Sequence, residues 1–196
     1  MTATILLIRH AAHVELDQRL SGRREGVPLS DAGRAQAAAL GERLATSGIT
    51  RVDCSPLIRT RATAAAIAGA GGLPAPSPIE ALVEIDMGEW SGRTLDSFGD
   101  DPAWQAWNGQ RGSARIPGGE TMAEAQRRIV GHMNSIGDGE TVAMVTHSDM
   151  IRAAVAHVLG LSLDHLLRFE IEPASVTGVV QGDWGAKLLF LNSTGR

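Results

Sequence analysis

Two short apolar runs, each ending abruptly in a histidine, constrain this chain more than any other feature. Thr4 to Ile8 stops at Arg9-His10, and Thr141 to Thr146 stops at His147. A continuous apolar run this short suits a strand covered on both faces, as in a parallel sheet. In open α/β sheets, ligands bind beyond the carboxyl ends of the strands. Two histidines delivered to such ends face one crevice.

The remaining pattern alternates strands with helices. Ser30 opens a helix carrying Ala37, Leu40 and Leu44 at helical spacing, and Val52 to Cys54 is a second strand. A helix follows from about Arg59 to Ala68, then Leu82 to Ile85 as a short extended piece. Gly92 to Gly119 loses periodicity and holds Trp104, Trp107, Arg111 and Arg115. It reads as a partly helical lid or insertion, its tryptophans as packing. Glu120 to about Ile136 and Met150 to Leu159 read as helices. Phe169 to Ile171, Val176 to Gln181 and Lys187 to Leu191 read as strands, the last two joined by a turn at Gly182 to Gly185. The fold class is therefore α/β, a layered structure with a largely parallel central sheet. A length of 196 residues makes residues 1–196 one domain with the insertion at about 92–119.

Composition limits the partners. Hydrophobic residues make up 43% and charged residues 20%, and the net charge of −4 argues against nucleic acid or an anionic membrane. An anionic substrate would then need a locally positive pocket, built from clustered arginines. Cys54 is the single cysteine, so no internal disulfide forms and a reducing compartment is expected. The first apolar stretch is too short for a signal peptide or a membrane span. A cytoplasmic location is expected.

The residues expected at the strand ends form a set suited to phosphoryl transfer. That reaction spreads negative charge over three equatorial oxygens, which fixed cations stabilise. Arg9 and Arg59 offer planar forks matched to phosphate. A neutral imidazole such as His10 or His147 is nucleophilic near pH 7. Glu84, at the end of the Leu82–Ile85 piece, can protonate a leaving alkoxide if its pKa is raised.

These motifs resemble the histidine phosphatase (phosphoglycerate mutase-like) superfamily, in order and over almost the whole chain. Arg9-His10 is similar to its Arg-His signature. Leu29-Ser30-Asp31-Ala32-Gly33-Arg34-Ala35-Gln36-Ala37 resembles its Leu-Ser-x-x-Gly-x-x-Gln-Ala helix start. Ser55 to Arg59 with Thr63-Ala64 resembles the second arginine motif, and Glu84 to Gly92 the segment carrying the acid. Pro117-Gly118-Gly119-Glu120-Thr121 and Val145-Thr146-His147-Ser148 complete the set. The resemblance implies a three-layer sandwich and a hydrolase needing neither metal nor cofactor. Its substrate would be a small phosphate monoester, processed through a phosphohistidine on His10. Arg9, Arg59 and His147 would bind the phosphoryl group, and Glu84 would be the general acid.

The chain departs from the family pattern after Arg-His, with Ala11, Ala12 and His13 where glycine and a hydroxyl residue are usual. Leu16 stands near a frequent asparagine, and Ser148 follows the second histidine in place of glycine. His13 reads either as a replacement phosphate contact or as a loop histidine. Arg23 reads either as a further substrate contact or as a solvated residue, and Ser148 is a third candidate. Glu120 is a helix-start carboxylate with a possible supporting role. The competing readings are a phosphoglycerate mutase, a non-catalytic phospho-ligand binder, and a metal hydrolase with His10, His13 and His147 as ligands, for which no zinc motif is present. His132, His157 and His165 read as structural. No pattern in the chain signals an oligomeric state.

Overall fold

The computed structural model describes residues 1–195. Six strands form one sheet: β1 (Thr2–Arg9), β2 (Arg51–Cys54), β3 (Ser77–Pro78), β4 (Thr141–Thr146), β5 (Val176–Gly182) and β6 (Gly185–Ser193). Their order is β3-β2-β4-β1-β5-β6. The four strands from β3 to β1 are parallel, and β5 and β6 run antiparallel to their neighbours. The helices are α1 (Asp31–Leu44), α2 (Ile58–Gly71), α3 (Pro102–Gly109), α4 (Met122–Met133) and α5 (Ser148–Leu159).

The apolar runs are continuous because both sheet faces are covered. In β1, Ile5 and Leu7 point into one core with Met144, Met150 and Ile129, and Leu6 and Ile8 into another with Leu40, Ile67 and Val145. Helices α1 and α2 cover the second face and α4 and α5 the first, giving the expected three layers. Burying such side chains on both faces contributes roughly 1.5–3 kcal/mol each, and this holds the central strands rigid where they end. Ser30 caps α1 by accepting from Gly33 N, while Thr121 and Glu124 form a reciprocal capping box on α4.

Leu82 to Ile85, expected as a short extended piece, and Phe169 to Ile171, expected as a strand, join no strand of the sheet, for one shared reason. Leu82 to Ile85 is a single 3-10 turn (Glu80–Leu82) followed by irregular chain, and the short strand lies upstream as β3. Leu82 and Ile85 are fully buried, but the carbonyls of Ala81, Val83 and Glu84 accept from the Arg128 guanidinium, not from a neighbouring strand. Phe169 to Ile171 is likewise outside any strand. Its carbonyls at Phe169 and Ile171 accept from Arg152 and Arg9. Buried carbonyls must find partners, and in both segments arginine side chains supply them. Neither apolarity nor periodicity reveals that substitution.

Among the described residues, no helix is long and apolar enough to cross a membrane.

Candidate active site

Parallel pairing of β1 with β4 sets Arg9 opposite Thr146, so His10 and His147 leave the sheet side by side. His10 N donates to Thr146 O at 3.0 Å, and the two imidazole centroids stand 5.1 Å apart. His10 is only 3% exposed.

The turn after His10 is shaped by side chains from α1 and α2. Ala11 N donates to Thr63 Oγ1, and Ala12 N donates to Gln36 Oε1. Ser30 donates to Ala12 O through both its N and its Oγ. A Cβ at position 33 would lie 1.8 Å from Ala12 O, so only glycine lets α1 approach this closely. The Ser30, Gly33, Gln36 and Thr63 positions of the sequence motifs thus act on the backbone that presents His10. Spacing alone did not assign them that task.

The tautomer of His10 is defined by its partner. His10 Nδ1 lies 2.8 Å from Ala11 O, an acceptor only, so the proton sits on Nδ1 and the lone pair on Nε2. Burial, then the charges of Arg59 and Arg9, hold the His10 pKa well below its ordinary value. The ring is neutral at pH 7.

His147 is held from both sides of its ring. Its Nε2 is 2.9 Å from Ser55 Oγ, and its Nδ1 faces Arg59 Nη2 at 3.4 Å and Glu84 Oε2 at 3.8 Å. Burial and the Arg59 charge push it far down as well. Arg59, 1% exposed, donates from Nη2 to Gly22 O at 2.6 Å. Gly22 adopts φ +50 where the 13–24 loop arches over it. Arg59 Nε and Nη1 and Arg9 Nε are buried without a partner. Buried donors left unpaired cost free energy, and here they lie around one wall of a cavity of about 250 Å³.

Glu84 lines the same cavity with 14% side-chain exposure. Burial, then the Asp149 carboxylate, raise its pKa to about 7, against a hydrogen bond from Ile85 N and the charges of Arg59 and Arg128. A carboxyl group raised this far can hold a proton near neutral pH, the condition for donating one there.

His13 lies 5.3 Å from His10, centroid to centroid, and lines the cavity. Its Nδ1 accepts from Glu15 N, leaving the proton on Nε2 as a donor. Burial and the charges of Arg59 and Arg9 lower its pKa to about 4. Ser148 also lines the cavity, its Oγ buried and unpartnered. Arg23 does not line it. Its Nε donates to Glu84 O and its Nη2 to Glu120 Oε2, so the guanidinium, read either as a substrate contact or as solvated, bonds protein atoms.

The 92–119 segment closes the far wall. Trp90, Phe98, Trp104 and Trp107 stack in one aromatic cluster, and Arg111 lies 3.8 Å over the Trp107 ring while pairing with Asp149 at 3.0 Å. Asp149 had no sequence signal beyond following the second histidine. The cavity lining holds five arginines (9, 19, 59, 111 and 152) against three carboxyl groups (Asp17, Glu84 and Asp149). This is the local positive pocket that an acidic chain needs to attract an anion. Among the described residues, no group of three or more His, Cys, Asp or Glu is arranged to hold a metal. His132 instead pairs with buried Asp53 at 2.9 Å, bridging α4 and β2.

Comparison with known proteins places the chain in a family. The chain is 28% identical over 200 residues to phosphoserine phosphatase 1 of Hydrogenobacter thermophilus, covering 97% of this chain and 92% of that one. It is 32% identical over 200 residues to the probable phosphoglycerate mutase GpmB of Klebsiella pneumoniae, with the same coverage. The solved structure of Bacillus stearothermophilus YhfR superposes with a TM-score of 0.91 at 27% identity, covering 97% of each chain. The profile of the histidine phosphatase superfamily (branch 1) matches residues 5–194, and the chain belongs to that superfamily.

Proposed function

We propose that the chain hydrolyses small phosphate monoesters through a phosphohistidine on His10. The His10 Nε2 lone pair attacks phosphorus, and the bond from phosphorus to the ester oxygen breaks. Glu84 gives its proton to that oxygen, releasing the alcohol. Water then attacks the phosphohistidine, Glu84 takes back a proton, and inorganic phosphate leaves a neutral His10. Arg9, Arg59, His147 and the Nε2 proton of His13 bind the equatorial oxygens, with Ser148 Oγ as a further donor. Guanidinium groups carry the electrostatic stabilisation, so the reaction runs without a metal ion or cofactor. The lone buried thiol, Cys54, suits a reducing compartment, and the reading includes a cytoplasmic location.

One observation carries this reading: a buried neutral imidazole with a free Nε2, beside arginine donors that lack partners, in a cavity with a carboxyl group poised near pH 7. A cavity of about 250 Å³ suits a small phosphate ester. The test is His10-dependent release of p-nitrophenol from p-nitrophenyl phosphate after exhaustive chelation, followed by a panel of phosphorylated metabolites. A wild type inactive toward both would leave a phospho-ligand binder. Loss of activity on chelation would remove the metal-independent mechanism. The likeness to a probable phosphoglycerate mutase supports the second reading, in which phosphohistidine returns its phosphoryl group to the sugar acid. Interconversion of 2- and 3-phosphoglycerate faster than phosphate release would establish it.

A further inference from the structure

The acid-bearing segment has no strand to hold it, yet it must place one carboxyl group against a leaving oxygen. Three charged side chains far apart in sequence converge on its backbone. Arg128, on α4, donates from Nη1 to Ala81 O (2.9 Å) and Val83 O (2.5 Å), and from Nη2 to Glu84 O (3.0 Å). Arg23, from the loop after β1, donates from Nε to the same Glu84 O at 2.8 Å. Both arginines are paired to one carboxylate. Glu120 Oε2 accepts from Arg23 Nη2 (2.8 Å), Arg128 Nη2 (3.0 Å) and Asp86 N (2.9 Å), while Oε1 accepts from Arg128 Nε (3.2 Å). Those bonds outweigh burial and hold the Glu120 pKa below its usual range.

Two glycines make the convergence possible. A Cβ on Gly88 would sit 2.1 Å from Pro117 O, and one on Gly119 would sit 2.2 Å from Asp86 O. The 117–120 segment therefore lies flush against 86–89, with Glu120 N donating to Asp86 O and Glu89 N to Pro117 O. Only that contact brings the Glu120 carboxylate within reach of Asp86 N.

We propose that Glu120, Arg128 and Arg23 are positioning residues, a clamp that sets Glu84 against the leaving group by holding the carbonyls on its N-terminal side and the amide of Asp86. This rests on Glu84 being the general acid. None of the three lines the reaction cavity, so the clamp acts without touching substrate, by placing Glu84, while the Arg128 charge also bears on Glu84 and His147. A misplacement of about 1 Å at a reacting group costs up to ~10²-fold in rate.

The experiment measures kcat and KM for p-nitrophenyl, p-chlorophenyl and phenyl phosphates, whose leaving groups depend increasingly on protonation. Variants are Glu84→Gln, Arg128→Gln, Arg128→Lys, Glu120→Gln and Arg23→Gln, with thermal melts alongside. If the clamp positions the acid, Arg128→Gln and Glu120→Gln lose roughly 10–100-fold in kcat on phenyl phosphate and under about threefold on p-nitrophenyl phosphate. In a Glu84→Gln background the same substitutions then add little. Arg128→Lys keeps the charge but not the fork, and behaves as the Gln variant does. Equal losses on all three esters, or additive losses in the Glu84→Gln background, overturn the clamp. If Glu84→Gln itself shows no leaving-group dependence, the general-acid reading fails and the clamp with it. Should Arg128→Gln melt too low to assay, Arg23→Gln and Glu120→Gln carry the same contrast. A wild type without His10-dependent turnover of any ester sinks both.

Discussion

The site has two halves built by different means. On one side His10, His147 and Arg59 emerge from ends of the sheet and from the helix that follows β2, elements buried on both faces. On the other, Glu84 and the 13–24 loop are irregular chain and the 92–119 segment is loop around the short helix α3, all held by arginines bonded to carbonyls and by packed aromatic rings. In the proposed reaction the sheet half meets the phosphoryl group, whose shape is common to all phosphate esters. The loop half, apart from His13, would meet the leaving group, which differs among substrates. A rigid frame suits the constant task, and loops suit the variable one. The two halves should therefore respond differently to substitution.

The largest effect belongs to the sheet half. His10→Ala removes the nucleophile, and turnover should fall by at least ~10⁴-fold on every ester, since losing a nucleophile removes the covalent route entirely. Stopped-flow assays that find a smaller loss on activated esters would blur the division between the halves. Arg59→Met comes next, at roughly 10²–10³-fold in kcat/KM for good and poor leaving groups alike. Because two of the Arg59 nitrogens are buried without partners, exchanging the guanidinium for an apolar chain of similar length should not lower the melting temperature. A loss confined to poor leaving groups would place Arg59 with the loop half instead.

The same division decides what could be read from the sequence. Residues 5–8 and 142–145 announce their strands because burial on both faces forces unbroken apolarity. The residues just beyond such a strand, Arg9-His10 or His147, inherit its position. Ser30 and Thr121 announce their helices through capping chemistry that is local in sequence. Leu82 to Ile85 and Phe169 to Ile171 look equally strand-like, but the partners of their carbonyls are Arg128, Arg152 and Arg9, side chains that no local pattern links to them. In the sequence Arg23 stays open between substrate contact and solvated residue for the same reason: its acceptors, Glu84 O and Glu120, lie 61 and 97 positions away. Asp149, which pairs with Arg111 and raises Glu84, becomes visible only when α5 and the 92–119 segment are placed together.

A substitution in the aromatic wall probes the variable half directly. Trp104 lines the cavity between Phe98, at 4.2 Å, and Trp107, at 5.5 Å. Trp104→Leu should change KM by up to about tenfold, by different factors for different phosphorylated metabolites, because pocket shape discriminates by roughly 1–3 kcal/mol per group added or lost. Its kcat on p-nitrophenyl phosphate should stay within about threefold of wild type. A uniform change across substrates would show that the wall merely supports the fold.

The smallest effect separates the halves by pH. His10 must be neutral to attack, and its pKa lies well below the ordinary 6.5, so kcat/KM should not fall on the acid side until well below that value. Glu84 must hold a proton to release a poor leaving group, and its pKa is raised to about 7, so with phenyl phosphate kcat/KM should fall as pH rises through about 7. Asp149→Asn removes the charge that ranks after burial in raising Glu84; the carboxyl then loses its proton more easily, and the alkaline limb moves to lower pH. The acid limb, set by burial and the Arg59 and Arg9 charges around His10, stays in place. Comparing variant and wild type on one ester cancels the ester's own ionisation, so any displacement belongs to the protein. An alkaline limb unmoved by Asp149→Asn, or an acid limb that moves with it, would mean that the two halves are a single electrostatic unit and that their separation is one of architecture alone.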